Sequence, residues 1–184
     1  TDYLDTIPHL FYYNAFLILS NGTEAKVGTL GSKYEFFHEW KRLSEQEQGS
    51  VALETMLRGI CKKENFLDLL ENFILFDHSG GHTAKILARN HQYLGVNEAI
   101  KAYEARKLNN GKLGVFWHTQ GSGKSYSMVF LAQKIRRKFS GSPTIVILTD
   151  RDELNTQISD TFENCGILGK AKASQFIASS GDDL

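Results

Sequence analysis

The stretch GVFWHTQGSGKSYSMVF, residues 114–130, decides the fold. Residues 118–125 within it spell HTQGSGKS and end in the Gly-Lys-Ser of the phosphate-loop pattern G-x-x-x-x-G-K-[ST]. Gly121 and Gly123 allow successive backbone N–H groups to turn toward an anion at a helix N-terminus, because no Cβ obstructs the turn. An apolar run precedes the loop and a helical pattern follows it, which is the context that the motif requires.

The side chains of this loop predict the phosphates of a nucleotide, and Mg²⁺, as its ligands. Lys124 can bring its ammonium group to the β- and γ-phosphates, and Ser125 can offer its hydroxyl to the metal. We therefore predict Lys124 and Ser125 as the catalytic pair, with Ser125 also the Mg²⁺ ligand. The residues expected to hold the nucleotide together with them are Thr119, Gln120, Gly121, Ser122 and Gly123.

His118 occupies the first position of the loop, where the pattern has Gly. Glycine at this position helps the chain to turn away from the preceding strand, whereas histidine has to make the same turn with a full side chain. We expect His118 to be packed at the end of that strand, and a titrating catalytic histidine is the alternative.

The segments around the loop predict an α/β layer. Leu113–Trp117 is a short apolar run, and a helix is expected from Lys124 to about Phe139. Residues 144–150, TIVILTD, are nearly all apolar, as expected for a parallel strand covered on both faces. A further helix follows and ends at Gly166, so the order predicts the start of a doubly wound sheet. The apolar stripe expected on the first helix consists of Met128, Leu131, Ala132, Ile135 and Phe139.

The N-terminal half predicts two hairpins and several helices. Strands are expected over residues 11–20 and 24–30 around a turn at Asn21-Gly22, and again over 72–77 and 83–89 around Gly80-Gly81. The helices expected between and after them are Tyr34–Arg42, one from Val51 onward, one capped by Asn65, and His91–Leu108.

The composition limits the class of protein. The 184 residues are 41% hydrophobic and 23% charged, which is typical of a globular protein. Lys plus Arg and Asp plus Glu number 21 each, so the net charge neither supports nor excludes nucleic-acid binding. Cys61 and Cys165 form neither a disulfide framework nor a metal-ligand spacing, which favours a reducing compartment. The sequence contains no signal-peptide pattern and no apolar run of about 20 residues, so no membrane association is expected.

FWHTQGSGKSYSMVF followed by IVILTDRDELNTQ resembles the restriction (motor and endonuclease) subunit of type I restriction–modification enzymes, a member of helicase superfamily 2. The His-Thr-Gln lead-in is typical of the first motor motif of that family, so His118 agrees with the resemblance. Residues 53–76 and 85–100 are also similar to the family, and FYYNAFLILSNGTEAKVGT followed by EFFHEW resembles the end of its nuclease domain. The resemblance thus covers nearly the whole chain.

The resemblance implies three segments. Residues 1–48 would be the C-terminal remnant of a nuclease domain, 49–90 a helical and β-hairpin connector, and 91–184 the N-terminal part of the first RecA-like motor domain. The expected fold class is α/β, a partial RecA-like phosphate-loop parallel sheet with flanking helices. The parent enzyme would hydrolyse ATP, translocate double-stranded DNA and cut it with methylation and specificity subunits, in a prokaryotic cytoplasm. S-adenosylmethionine would be used by the parent complex and not bound here.

The resemblance also implies further site residues. Gln92 matches an adenine-sensing glutamine, whose carboxamide donates and accepts at once, and the alternative is a solvated first-turn helix residue. Thr149, Arg151 and Gln157 match a motif that contacts the DNA backbone. Arg151 suits a phosphate, and the other two side chains can donate to sugar-phosphate oxygens. The alternative for these three is a polar cluster at a helix start.

Two carboxylate patterns stay open. Asp150 ends an apolar run as a Mg²⁺-binding acid would, although the resemblance assigns this strand to the DNA motif. Glu24 and Lys26 form an E-x-K downstream of Asp5, as in a metal-dependent nuclease, but the tripeptide is short and common.

The chain is expected to be a fragment. No DExH-type acidic motif follows Asp150 within the 184 residues, and the chain opens at Thr1 almost directly in a strand-like segment. We therefore expect weak nucleotide binding without turnover, since hydrolysis needs further charges at the γ-phosphate. The alternatives are another superfamily 2 helicase, a type III restriction subunit, a small kinase-like phosphate-loop ATPase that uses Asp150, and an interaction module. Residues 179–184, SSGDDL, follow no periodic pattern.

Overall fold

The computed structural model describes residues 2–169 and 172–178, so the C-terminal SSGDDL lies outside the described residues. The chain is a mixed α/β protein with short 3₁₀ turns at Pro8–Phe11, Tyr34–Phe36 and Ala173–Gln175. Within the described ranges, no helix has the length and apolar character needed to cross a bilayer. The helices and strands are α1 (Asp2–Thr6), β1 (Leu17–Ser20), β2 (Ala25–Gly28), α2 (Leu53–Ile60), α3 (Lys63–Asn72), β3 (Ile74–Asp77), β4 (Ala84–Leu87), α4 (Asn90–Glu104), α5 (Lys124–Lys138) and α6 (Asp152–Asn164).

Two compact units divide the chain. Unit one comprises Thr1–Ile74 and Lys85–Asn97, and unit two comprises Leu75–Ala84 and Glu98–Leu184. The three segments expected from the sequence, 1–48, 49–90 and 91–184, remain a prediction.

The first hairpin of unit one confirms the turn predicted at Asn21-Gly22. Strands β1 and β2 pair antiparallel, with Leu17 opposite Gly28. The Asn21 side chain accepts the N–H of Thr23 at 3.0 Å and that of Glu24 at 2.8 Å, which closes the turn. The first strand is shorter than predicted and begins only at Leu17, because the chain turns at residues 8–13 and is irregular over 14–16.

The helix predicted over Tyr34–Arg42 is wrong. Only Tyr34–Phe36 forms a single 3₁₀ turn, and His38 then exchanges both backbone hydrogen bonds with Val27 of β2, at 2.8 and 2.9 Å. Aromatic residues fit a pleated surface as well as a helix, and the available strand edge decides between the two.

The core of unit one forms around Trp40, whose side chain is 1% exposed. A Cβ on Gly59 of α2 would lie 2.2 Å from Trp40 Nε1, so glycine is what allows this helix to approach the indole. The rings of Phe73 and Trp40 both pack against Tyr93, with centroids 4.8 and 5.3 Å away. The predicted helices after Val51 and after Asn65 are confirmed as α2 and α3, although α3 begins at Lys63.

The second hairpin and the helix after it are also confirmed. Strands β3 and β4 form a two-stranded sheet, and α4 follows from Asn90 to Glu104.

The core of unit two forms between α5 and α6. The fully buried side chains Val129 and Phe130 of α5 lie in this core, together with Ile158 and Phe162 of α6. Of the predicted stripe on α5, Ala132 and Ile135 are buried, whereas Met128 is 39% exposed. The buried side of α5 is therefore rotated from the prediction, because Val129 and Phe130 fall inside it.

The strands predicted at residues 113–117 and 144–150 are not observed. Both segments are irregular, and neither pairs with a strand among the described residues. Parallel strands depend on neighbours to satisfy their N–H and C=O groups, and here the side chains remain in solvent: Val115 is 94% and Leu148 86% exposed. The mixed α/β class is confirmed, but the parallel sheet is not present in the described part of the chain.

Candidate functional site

The phosphate loop turns at the two glycines that the motif singles out. Gly121 and Gly123 have φ of 76° and 83°, in the left-handed region that other residues rarely adopt. No atom lies within 4 Å of a Cβ placed on Gly121, so the requirement for glycine there is conformational and not steric. Gly123 directly precedes α5 and offers no side-chain cap.

The N-terminus of α5 opens onto this loop. The Ser127 N–H makes the first intrahelical bond, to Gly123 O at 3.1 Å. The N–H groups before it have no acceptor within the helix, and the helix dipole places partial positive charge there. Ser125 lies in this first turn and is partly buried. The arrangement suits an anion such as a phosphate.

Lys124 closes the loop from one side. Its ammonium donates to His118 O and to Thr119 O, both at 2.8 Å. These acceptors are neutral carbonyls, and a phosphate oxygen would replace them with a charged acceptor, which makes a stronger hydrogen bond.

His118 is packed against a neighbouring ring, although the strand predicted before it is not observed. It is partly buried, and its ring lies edge-on to Phe116 with the centroids 4.5 Å apart. This contact favours the packing role over the alternative of a catalytic histidine.

Asp77 and Tyr126 belong to the surroundings of the loop, and sequence reasoning missed both. Tyr126 follows Ser125 in α5, and its hydroxyl donates to Oδ2 of Asp77 at the end of β3. Asp77 is 6% exposed, and its Oδ1 accepts the Ser79 N–H at 2.8 Å. A buried aspartate at the end of an apolar strand was the available signal, but the sequence does not show that its partner lies 49 residues away.

The charge of Asp77 is retained despite burial. Burial raises its pKa, but the hydrogen bonds from Tyr126 and Ser79 outweigh this effect and hold the pKa below its ordinary 3.8. Burial and the same carboxylate raise the pKa of Tyr126, so the phenol keeps its proton and donates. Burial, with the charge of Asp77 as a further cause, raises the pKa of the Cys165 thiol to about 12.

Of the three residues predicted to contact DNA, Thr149 and Arg151 lie just before α6 and Gln157 lies in its second turn. Thr149 is partly buried, whereas Arg151 and Gln157 are exposed. Arg151 precedes the first residue of the helix and forms an exposed ion pair with Asp150, with Nε and Oδ2 3.7 Å apart. Such a pair is weak, so the guanidinium is available to a phosphate.

Gln92 lies in unit one, whereas the phosphate loop lies in unit two. It is 3% exposed, and its Oε1 accepts the Arg89 N–H at 2.8 Å, as the side chain at the third helix position does in a capping box. The glutamine therefore caps the start of α4 from a buried position and is not a solvated helix residue. Its role toward adenine stays a prediction.

The carboxylates of the two open patterns lie at exposed positions. Asp150 is exposed, and Glu24 is exposed in the first turn. Lys26 lies over the Tyr34 ring, 4.9 Å from its centroid. Among the residues that the structure describes, no group of three or more His, Cys, Asp or Glu side chains is placed to hold a metal ion.

Comparison with known proteins gives a consistent picture. Residues 91–184 match the model of the SWI2/SNF2 ATPase family. Over 171 residues the chain is 39% identical to the type I restriction enzyme HindI endonuclease subunit of Haemophilus influenzae, which covers 88% of this chain and 16% of that subunit. It is 29% identical over 197 residues to the "Putative type I restriction enzyme MjaIXP endonuclease subunit" of Methanocaldococcus jannaschii, covering 94% and 18%. The chain spans about a sixth of the length of these relatives.

Proposed function

The chain belongs to the SWI2/SNF2 ATPase family and has type I restriction endonuclease subunits among its relatives, and on this premise we propose that it is the ATP-binding part of such a subunit. The parent protein would couple ATP hydrolysis to movement along double-stranded DNA and to cleavage. Residues 91–184 would be the first part of a RecA-like motor domain, because the family model begins there. Residues 1–48 and 49–90 would be the end of the nuclease domain and the connector.

The observation that carries this proposal is the Gly-Lys-Ser turn at the start of α5. Lys124 would transfer its two hydrogen bonds from loop carbonyls to the β- and γ-phosphates. The Ser125 hydroxyl would hold Mg²⁺, which neutralises charge on the phosphate oxygens when bound. The backbone N–H groups of residues 119–123 would complete the phosphate cradle, and Gln92 would read the adenine.

Thr149, Arg151 and Gln157 would meet the DNA backbone. The exposure of Arg151, just before α6, and of Gln157, in its second turn, supports this role, since phosphate contacts need donors that reach solvent. Residues 113–117 and 144–150 would become parallel strands once neighbouring strands of the motor domain cover their apolar side chains. A prokaryotic cytoplasm and assembly with methylation and specificity subunits belong to the same proposal.

The test uses the complete subunit that carries this segment, assembled with its methylation and specificity subunits. We expect ATP-dependent displacement of a third strand annealed to linear DNA beyond the recognition site. Lys124→Ala should abolish strand displacement and ATP hydrolysis, because the β- and γ-phosphates lose the ammonium group that binds them. Lys112→Ala, an exposed lysine ahead of the loop, is the matched control and should leave both rates unchanged. Displacement at the wild-type rate by Lys124→Ala would contradict the proposal.

A further inference from the structure

The carboxylate of Asp77 joins the turn after β3 to the start of α5. Its two oxygens have different donors: Oδ1 accepts from the Ser79 backbone, and Oδ2 accepts from the Tyr126 hydroxyl. All three residues belong to unit two. A single buried side chain therefore fixes the helix against the turn.

The turn after β3 has two further anchors that do not involve Asp77. The His78 N–H donates to Asn164 O at the end of α6, at 3.2 Å, and the His78 ring nitrogen Nδ1 lies 3.0 Å from Thr83 Oγ1. Because these contacts anchor residue 78 independently, the neighbouring carboxylate is a fixed acceptor for Tyr126.

Fixing the Tyr126 side chain also sets the directions in which the side chains of Lys124 and Ser125 leave the helix. Side chains of consecutive helix residues are about 100° apart around the axis, so the orientation of Tyr126 determines those of Ser125 and Lys124. The first turn of a helix is its least restrained part, since its N–H groups lack intrahelical acceptors. Gly123 gives α5 no capping side chain, so the bond to Asp77 supplies restraint from outside the helix.

We propose that Asp77 is a positioning residue for nucleotide binding, which holds Tyr126 and thereby the first turn of α5 so that Lys124 and Ser125 face the phosphates and their Mg²⁺. This inference rests on the proposed ATP site. Asp77 lies outside residues 91–184, the part of the chain that matches the family model.

The first test is the affinity for ATP with Mg²⁺ and with EDTA, measured by calorimetry on this chain. Tyr126→Phe and Asp77→Asn should each weaken MgATP binding about 10-fold, the lower end for a lost hydrogen bond to a charged group. The double variant should bind MgATP as tightly as either single variant, because all three variants remove the same hydrogen bond between Tyr126 and Asp77. The gain in affinity on adding Mg²⁺ should shrink in each variant, whereas simple loss of folded protein lowers both affinities alike.

Tyr103→Phe is the matched control. It removes a phenol hydroxyl from a partly buried tyrosine of unit two, whose ring contacts Phe139 just beyond the other end of α5, with centroids 4.7 Å apart. It should leave both affinities within twofold of wild type. Additive losses in the double variant, or an unchanged Mg²⁺ gain, would overturn the positioning role.

The second test needs no nucleotide. Hydrogen exchange of the α5 peptide covering residues 124–130 should be about 10-fold faster in Tyr126→Phe, with α6 unchanged, because the first turn loses its outside restraint. Unchanged exchange would overturn the inference. If wild type binds no ATP but Tyr126→Phe still exchanges faster, the proposed function is contradicted. The restraint of α5 by Asp77 is then established all the same.

Discussion

Individual residues acquire their properties here from neighbours that lie far along the chain. Asp77 stays ionised although buried, because Tyr126 and Ser79 donate to it. His38 shows the opposite case, since its ring is buried beside the charge of Arg89. Both ring nitrogens of His38 are buried, and neither makes a well-formed hydrogen bond. The nearby backbone of Glu39 and Leu87 raises the pKa of the ring, but by less than burial and Arg89 lower it.

His38 should make the stability of the chain depend on pH. Burial, and then the charges of Arg89 and His91, lower its pKa to about 4, against about 6.5 in the unfolded chain. The unfolded state therefore binds the proton more readily, so the stabilisation is complete above pH 6.5 and is lost as the pH falls toward 4. Between pH 7.5 and 5 the loss should reach about 2 kcal/mol.

Urea unfolding at pH 7.5, 6.5 and 5 measures this loss. His38→Phe keeps a ring in the site but cannot titrate, so its stability should change less over this range. His9→Gln removes an exposed histidine and should keep the wild-type slope. An equal pH slope in His38→Phe and wild type would show that other groups cause the dependence.

At the scale of elements, close packing in unit one depends on Gly59, in the last turn of α2. Helix propensity alone predicts that Gly59→Ala stabilises the helix by about 1 kcal/mol. The contact predicts the reverse, because the new Cβ would lie 2.2 Å from Nε1 and 2.5 Å from Cδ1 of the buried Trp40. Overpacking of this kind costs about 1–3 kcal/mol, so we expect net destabilisation.

The measurement is urea unfolding followed by the fluorescence of Trp40, in a Trp117→Phe background that leaves one tryptophan. Arg58→Ala is the control on the same helix. Its side chain is exposed, and its ion pair with Glu54 should contribute less than about 0.5 kcal/mol. A Gly59→Ala variant more stable than wild type would mean that α2 does not contact the indole as described.

The helices were predictable because their apolar spacing is local information. Helices α2 to α6 all form where the sequence predicts helices, although the buried side of α5 is rotated from the predicted stripe. The turns at Asn21-Gly22 and Gly80-Gly81 follow from turn chemistry. Residues 37–42 were not predictable, because the pairing of His38 with Val27 is a contact between distant segments. The role of Asp77 was not predictable for the same reason, because its partner Tyr126 lies 49 residues away. The phosphate loop was predictable because its residues are contiguous in the sequence.

At the scale of the whole molecule, two apolar segments lie in solvent. Residues 113–117 and 144–150 include Val115, Trp117, Val146 and Leu148, which are 94%, 76%, 56% and 86% exposed. Exposed apolar stretches of this size mark surfaces that bind further protein. The chain covers about a sixth of its relatives' length, which agrees with the proposal that neighbouring strands of the motor domain cover these segments.

The proposed function depends most on one property, that the loop at the start of α5 binds the phosphates of ATP. Calorimetry of MgATP binding to this chain tests it directly, with wild type, Lys124→Ala and the exposed-lysine control Lys112→Ala. We predict binding by wild type and by Lys112→Ala, and an affinity about 10- to 100-fold weaker in Lys124→Ala, the cost of losing a charge-assisted hydrogen bond. Equal affinity in Lys124→Ala, or no binding by wild type, would contradict the proposed function.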